Sequence, residues 1–353
     1  MARSLSATLI AAQIAGRTPY IDFILTSRDG LTTYDYSSTS GRLKAVEHHE
    51  EPYNVEASVM LDNHDKAVPD LRGYWVEIGY GCVTGGGNEH YHTSRMLVKS
   101  QFEVSAQGKL VVILALKGIW SVMEEQLVLL GVPPLHSTEY STDTIYEILT
   151  ALTTELASAT SVAFTLLALD TSDGIIDSFN PALEINAAPY ESFGRVIQFL
   201  MELTKCYFRV KSSLQFEIIY PQVTDAADET YYSDPASGFP YYEYTEVRNL
   251  SIPNHVIVYA NYDSEGNWID GVPVVGEAYD SDEFTGTVYS GNYMEVRGLY
   301  PAPSITNETD ADNRAEAILA KARAEVLSGR LVIPHDSRVE LYDRVAIFDT
   351  RES

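Results

Sequence analysis

From Tyr20 to about Trp120, apolar and polar residues alternate with a period of two, the pattern of strands that bury one face. The runs 21–26 and 31–36 flank Ser27-Arg28-Asp29-Gly30, where Asp-Gly supplies the positive φ of a tight hairpin turn. Val55, Ala57, Val59 and Leu61 alternate with Glu56, Ser58 and Met60. Tyr74, Val76, Ile78 and Tyr80 do the same with Trp75, Glu77 and Gly79. With 101–105 and 109–116, turning at Gln107-Gly108, these runs predict a meander of about six strands able to close into a barrel or sandwich. Residues 1–120 are therefore expected to form an N-terminal β-barrel.

The period changes to helical between 121 and 222. Ile145, Ile148, Leu149, Leu152 and Leu156 form one apolar stripe, with Ser141, Thr142 and Asp143 as candidate caps. Phe193, Val196, Ile197, Leu200 and Leu203 form a second, with Pro189 placed as a first-turn proline. Burying five such side chains contributes on the order of 10 kcal/mol before entropy is subtracted. Residues 207–210 and 214–219 predict a hairpin under these helices, so 121–222 is expected to be an inserted α+β module. Residues 223–245, rich in Asp, Tyr, Ser, Pro and Gly, predict a surface loop or boundary. Strands return in 246–353, near 256–260, 271–277, 331–334 and 344–349. One helix interrupts them, carrying Ala311, Ala315, Ile318, Leu319, Ala322 and Val326, with Thr309 as cap and Gly329 as its end. A second β-barrel with one helix is expected there. The fold class is mainly β with an α+β insertion.

Charge narrows the function classes. Among 353 residues, 24 Lys and Arg face 50 Asp and Glu, a formal charge of −26. No basic stripe exists for nucleic-acid phosphates or an anionic membrane surface, so neither specific nucleic-acid binding nor membrane insertion is expected. The same charge keeps a β-rich chain soluble before assembly and suits a conduit along which DNA slides without adhering. The 24 tyrosines favour strands and interfaces. Cys82 and Cys206 are the only cysteines, which points to a reducing compartment. Ser6, Thr8 and Gln13 interrupt the apolar stretch after Arg3, which argues against a cleaved signal.

Specific chemistry is sparse. His48-His49-Glu50-Glu51 and Glu89-His90-Tyr91-His92 are the two places where metal ligands cluster. On a strand, His90 and His92 share one face, a spacing that can hold zinc or copper. A structural zinc wants four ligands and at most three suggest themselves, so no metal and no cofactor is expected. Residues 61–66 lack the glycine and terminal glutamate of a calcium loop, and Gly85-Gly86-Gly87 lacks the Lys-Ser/Thr of a phosphate cradle. Carboxylate pairs such as Glu124-Glu125 and Asp280, Asp282 and Glu283 arise by chance in so acidic a chain. No catalytic residue is assigned.

Three stretches carry a resemblance. Residues 53–63, ending in Leu61-Asp62-Asn63, and then Pro69 to Gly79 look like the first barrel of bacteriophage tail proteins of the baseplate-hub or tail-tip class, the late control protein D family. Residues 188–193 through 206–210 are similar to that family's helix and two-strand insertion. Residues 314–327 and 340–349 resemble its closing helix and strand, with Asp343-Arg344-Val345 as the family's "Asp-x-Val". The resemblance implies two tail-tube-like barrels flanking the module. It also implies a homotrimer whose six barrels join a three-fold tip to the six-fold tube, with no enzyme activity. Implied partners are distal tail and tail tube proteins, the tape measure protein, and tip or fibre proteins. The implied location is the virion tail, after assembly in the host bacterial cytoplasm. The alternatives are a hexameric distal tail ring protein, or a carbohydrate-binding or hydrolytic β-protein whose Tyr231-Tyr232 and Tyr241-Tyr242 stack on sugars.

Overall fold

Alternation in the first third of the chain becomes two packed antiparallel sheets. The computed structural model describes all residues except 1–2, 16–17, 129–137, 170–174, 182, 186–190, 223, 250–252, 263–264, 281–293, 303–304, 325 and 352–353. A short helix, α1 (Ala7–Ile14), starts at Ser6, whose hydroxyl accepts from the Leu9 N–H. Ten strands follow: β1 (Thr18–Asp22), β2 (Ile24–Thr26), β3 (Thr33–Asp35), β4 (Leu43–Glu51), β5 (Asn54–Asp62), β6 (Trp75–Val76), β7 (Gly79–Thr84), β8 (Gly87–His92), β9 (Met96–Ala106) and β10 (Lys109–Gly118). One sheet has the order β3-β2-β6-β9-β10-β5-β4 and the other β1-β7-β8. Leu25, Val59, Leu61, Met96 and Leu114 of the large sheet share one core with Phe23 and Ile78, and Ile21 and Tyr80 of the small sheet pack against it.

Two runs that read as single strands are each divided. Phe23 parts β1 from β2, and 77–78 part β6 from β7, so the chain passes between the sheets at both points. Phe23 and Ile78 are wholly buried at these corners. The closed barrel expected for 1–120 does not form. The outer strands β3 and β4 are not paired with each other among the described residues. The edge strand β4 carries Lys44, Glu47, His48, His49, Glu50 and Glu51, a polar set that discourages further pairing.

Helix α2 (Ile119–Glu125) continues directly from β10. Then come β11 (Thr138–Tyr140), α3 (Ile145–Thr160), β12 (Thr165–Leu166), α4 (Ile175–Ser178), β13 (Leu183–Ile185), α5 (Phe193–Glu202), β14 (Tyr207–Lys211) and β15 (Gln215–Ile219). Thr144 caps α3 in place of the suggested residues 141–143. Its hydroxyl accepts from the Glu147 N–H while the Glu147 carboxylate accepts from the Thr144 N–H at 2.8 Å. Ser192 caps α5, and Pro189 lies outside the described residues. Both predicted apolar stripes are buried, with Phe208, Phe216 and Ile218 of the β12-β15-β14 sheet in the same core.

The segment read as a loop, 223–245, carries β16 (Glu229–Tyr232), β17 (Phe239–Pro240) and the start of β18 (Glu243–Arg248). Tyr231, Phe239 and Tyr241 there form a small aromatic core. Turns every few residues break these strands too often for a period to register. The remaining elements are β19 (His255–Ala260), β20 (Val274–Tyr279), β21 (Arg297–Ala302), α6 (Glu308–Ala324), β22 (Leu327–Val332) and β23 (Val345–Phe348). They make three small sheets, β17-β16-β23, β18-β22 and β20-β19-β21. Among the described residues none of these closes, so the second barrel is also replaced by open sheets. Asn307 caps α6 rather than Thr309, its side chain accepting from the Asp310 N–H at 2.9 Å. Gly329 lies in β22, where a Cβ would stand 2.1 Å from the Thr245 carbonyl oxygen.

Helix α6 lies directly on β19 and β20 because its contact residues are small. Ala311 and Ala315 are fully buried, and a Cβ on Gly276 would stand 2.1 Å from the Ala311 carbonyl carbon. Gly276→Ala is expected to lower stability by about 1–3 kcal/mol through overpacking. Denaturant midpoints of the two proteins check this, with an unchanged midpoint as the contrary result.

Candidate functional site

On the three-stranded sheet β1-β7-β8, the middle strand carries glycine at two successive positions of one face. Asp22, Gly79 and His92 lie side by side in one row, and Tyr20, Gly81 and His90 in another. With no side chain on Gly79, the outer strands' side chains converge over a trough, while at Gly81 a Cβ would stand 1.9 Å from the Glu89 carbonyl oxygen, a close approach of backbone. A Cβ on Gly79 would stand 2.7 Å from the His90 ring, 2.8 Å from Asp22 Cβ and 3.1 Å from the His92 ring.

Within the trough, His92 Nε2 lies 3.0 Å from Asp22 Oδ2, and His90 Nε2 lies 3.7 Å from the same oxygen. The other carboxylate oxygen, Oδ1, accepts from the Tyr20 hydroxyl at 3.1 Å and the Ser37 hydroxyl at 3.2 Å. Burial pushes the Asp22 carboxyl up, but the His92 hydrogen bond, the His90 charge and the Tyr20 hydroxyl outweigh it. Its pKa lies below the usual aspartate value. Burial lowers the His90 pKa more than Asp22 raises it, which favours the neutral ring. Asp22 and His92 also border an open cavity of about 400 Å³, lined further by Arg28, Trp75, Glu77 and Arg95.

A second polar cluster joins segments distant in sequence. The Arg209 guanidinium, 3% exposed, donates through Nε and Nη2 to Glu217 at 2.9 and 2.6 Å. Its Nη1 donates to Asp343 and to the Leu341 carbonyl, both at 3.0 Å. Glu340 lies 3.9 Å from Arg209 and 3.0 Å from Arg3, while Arg3 donates to the Ser337 carbonyl. Gln13 of α1 reaches Ser337 Oγ at 2.5 Å. Burial lowers the Arg209 pKa, but Glu340, Glu217 and Asp343 together raise it, so the cation is held. Burial raises the Glu50 carboxyl in the same place. Next to it His48 stacks on Tyr80, which also faces His335, and burial brings its pKa to about 4.

His90 and His92 therefore stand together on one face, as their spacing implies, and the fold brings Asp22 to them. Local patterning gave no sign of Asp22, although two glycines inside a strand signal a close approach. The His48-His49-Glu50-Glu51 run does not converge. His48 faces Tyr80, whereas exposed His49 approaches Glu47 at 3.3 Å. Asp62 and Asp65 pair with Lys44 and Arg42, and Glu125 pairs with Lys99. Asp280 is buried beside Arg323, while Asp282 and Glu283 lie outside the described residues. Cys82 and Cys206 are both buried. Of the four tyrosines considered for sugar stacking, Tyr231 and Tyr241 are buried, Tyr232 stacks on Phe348, and Tyr242 is exposed.

The fold is similar to that of two solved structures. One is a tail protein from Neisseria meningitidis MC58, at 12% identity, covering 95% of this chain and 88% of that one with a TM-score of 0.62. The other is the 43 kDa tail protein of prophage MuSo2 from Shewanella oneidensis, at 10% identity, covering 95% and 90% with a TM-score of 0.60. At such identities the likeness is one of fold. No family model and no curated protein matches the sequence.

Arg209→Met removes the shared cation from Glu217, Glu340 and Asp343 and is expected to cost about 3–5 kcal/mol. Arg209→Lys keeps the charge but loses the fork that serves Glu217 and Asp343 together, so it is also expected to destabilise. Urea midpoints of both variants test this. His48 adds a pH dependence with a definite sign. Between pH 6.5 and about 4 the unfolded chain holds a proton on His48 that the folded chain refuses. Its contribution is therefore complete above pH 6.5 and is lost as pH falls toward 4. His48→Gln is expected to flatten the fall in melting temperature across that window.

Proposed function

We propose that this chain is a structural, non-catalytic subunit of a bacteriophage tail, placed at the baseplate hub or tail tip. The observation that carries this reading is the fold likeness to two tail proteins, which spans 95% of the chain and nearly the whole of each counterpart. In this reading the subunit assembles in the host cytoplasm as a homotrimer. It joins the six-fold tube and distal tail proteins to a three-fold tip, close to the tape measure protein and to tip or fibre proteins.

Two physical features support an assembling part. Among the described residues, the sheet β20-β19-β21 receives α6 on one face, and the other presents exposed Val275 and Leu299 beside Ile257 and Tyr259. Open sheets with apolar outward positions gain stability when a neighbour covers them. The charge of −26 favours passage of DNA, since a polyanion is repelled by an acidic wall. The sugar-binding alternative is supported less, because Tyr231 and Tyr241 serve as core residues and only Tyr232 and Tyr242 of its four tyrosines lie outside that core.

The test is the purified full chain and the virion together. Light scattering is expected to give three times the chain mass, and labelled antibody is expected to mark one end of the tail in electron micrographs. A six-fold ring would move the subunit to the distal tail ring. A stable monomer absent from purified virions would overturn the tail reading. The lumen of the assembled ring is expected to be neutral to acidic; a wall of Lys and Arg in a reconstruction would contradict the conduit.

A further inference from the structure

Three donors of metal-binding type meet over the trough at Gly79, and we propose that Asp22, His90 and His92 form a binding site for a divalent first-row transition ion such as zinc or cobalt. One carboxylate and two imidazoles form a mixed oxygen and nitrogen set that suits such an ion better than magnesium or calcium, which take oxygen ligands. The sequence alone shows two of these donors; the third comes from β1 across the middle strand.

The geometry is near that of a bound set. Metal bonds of about 2.0–2.2 Å at angles between a right angle and trigonal place neighbouring donor atoms roughly 3.0–3.7 Å apart. The Asp22 oxygen stands 3.0 and 3.7 Å from the two imidazole nitrogens, and all three donor atoms lie within 4.8 Å of one another. The set closes when the rings turn to bring the widest donor spacing, within 4.8 Å, into that range. The outer partners are already in place. Tyr20 and Ser37 hold Asp22 Oδ1, which leaves Oδ2 to face the histidines, the arrangement by which supporting groups orient a ligating carboxylate. His90 Nδ1 is shielded and has no hydrogen-bond partner, so Nε2 is the atom it presents to the trough. Three protein ligands leave coordination positions open, and the cavity beside Asp22 and His92 gives water room to fill them.

The site is independent of the tail reading, because it rests on one chain's strands and not on assembly. Titration of the purified full chain with zinc chloride in a calorimeter, and with cobalt chloride followed by visible absorption, tests it. One ion per chain is expected, with a cobalt band and a rise in melting temperature. His92→Gln and His90→Gln are each expected to abolish all three signals, and Tyr20→Phe to weaken affinity roughly tenfold. His92→Gln sits at a half-exposed position and keeps a hydrogen-bonding group, so it is the variant least exposed to misfolding. A double variant at the exposed histidines His49 and His64, both changed to Ala, is expected to bind like the parent. Absence of binding, or binding unchanged in His90→Gln and His92→Gln, overturns the site and leaves the cluster as an Asp–His hydrogen-bonded pair.

Discussion

The buried Arg209 ion pairs are the constraint on which the arrangement of the chain depends. The hydrophobic residues fall into separate clusters, one from the first 120 residues, one shared by the central helices with β19, β20 and α6, and a small aromatic one. Apolar burial is non-directional and leaves such clusters free to shift against each other. A buried guanidinium has no such freedom, because every donor must find an acceptor in a fixed plane. Arg209 comes from the central sheet, Asp343 and Glu340 from the C-terminal stretch, and Arg3 from the N-terminus. Satisfying all four charges together permits essentially one relative placement of these segments. Losing Arg209 alone strands its carboxylates, but apolar residues of equal volume in place of the whole network need not weaken the fold, so what the charges add is direction.

Missing side chains matter in the same way. Gly276 lets α6 approach β20 to backbone contact, and Gly329 lets β22 pass the Thr245 carbonyl. Gly79 empties the middle of a three-stranded sheet, so a carboxylate and two imidazoles from strands that are not neighbours can touch, and Gly81 lets the β8 backbone come close. Interior glycine weakens a strand, and in each case the structure uses the space. The metal-type cluster and the helix packing thus share one physical cause.

Openness and charge belong together. A mainly β chain whose sheets end in open edges risks pairing with any strand it meets. Edge strand β4 is lined with charged and imidazole side chains, and the whole chain carries a formal charge of −26, so like molecules repel at long range. Short-range apolar positions such as Leu299 and Val275 can then act only where shape and charge both match, which limits random aggregation.

The amino-acid sequence by itself determined which stretches would be strands and which helices wherever a period ran long enough: β5, β9, β10, α3, α5, α6, β14 and β15 all follow from local alternation or helical stripes. It also determined that His90 and His92 would share a face, and it carried the order of elements that resembles tail proteins. Only the tertiary structure decided that Phe23 and Ile78 turn two runs into corners between sheets, that the sheets stay open, and that 223–245 pairs as strands around Tyr231. It alone brought Asp22 to the histidines and Arg209 to Asp343. The reason is physical. A hydrophobic period reports which face of a segment leaves water, a local property of neighbouring residues. The choice of partner strand or partner charge is settled by competition among segments far apart in the chain, and no local period records its outcome.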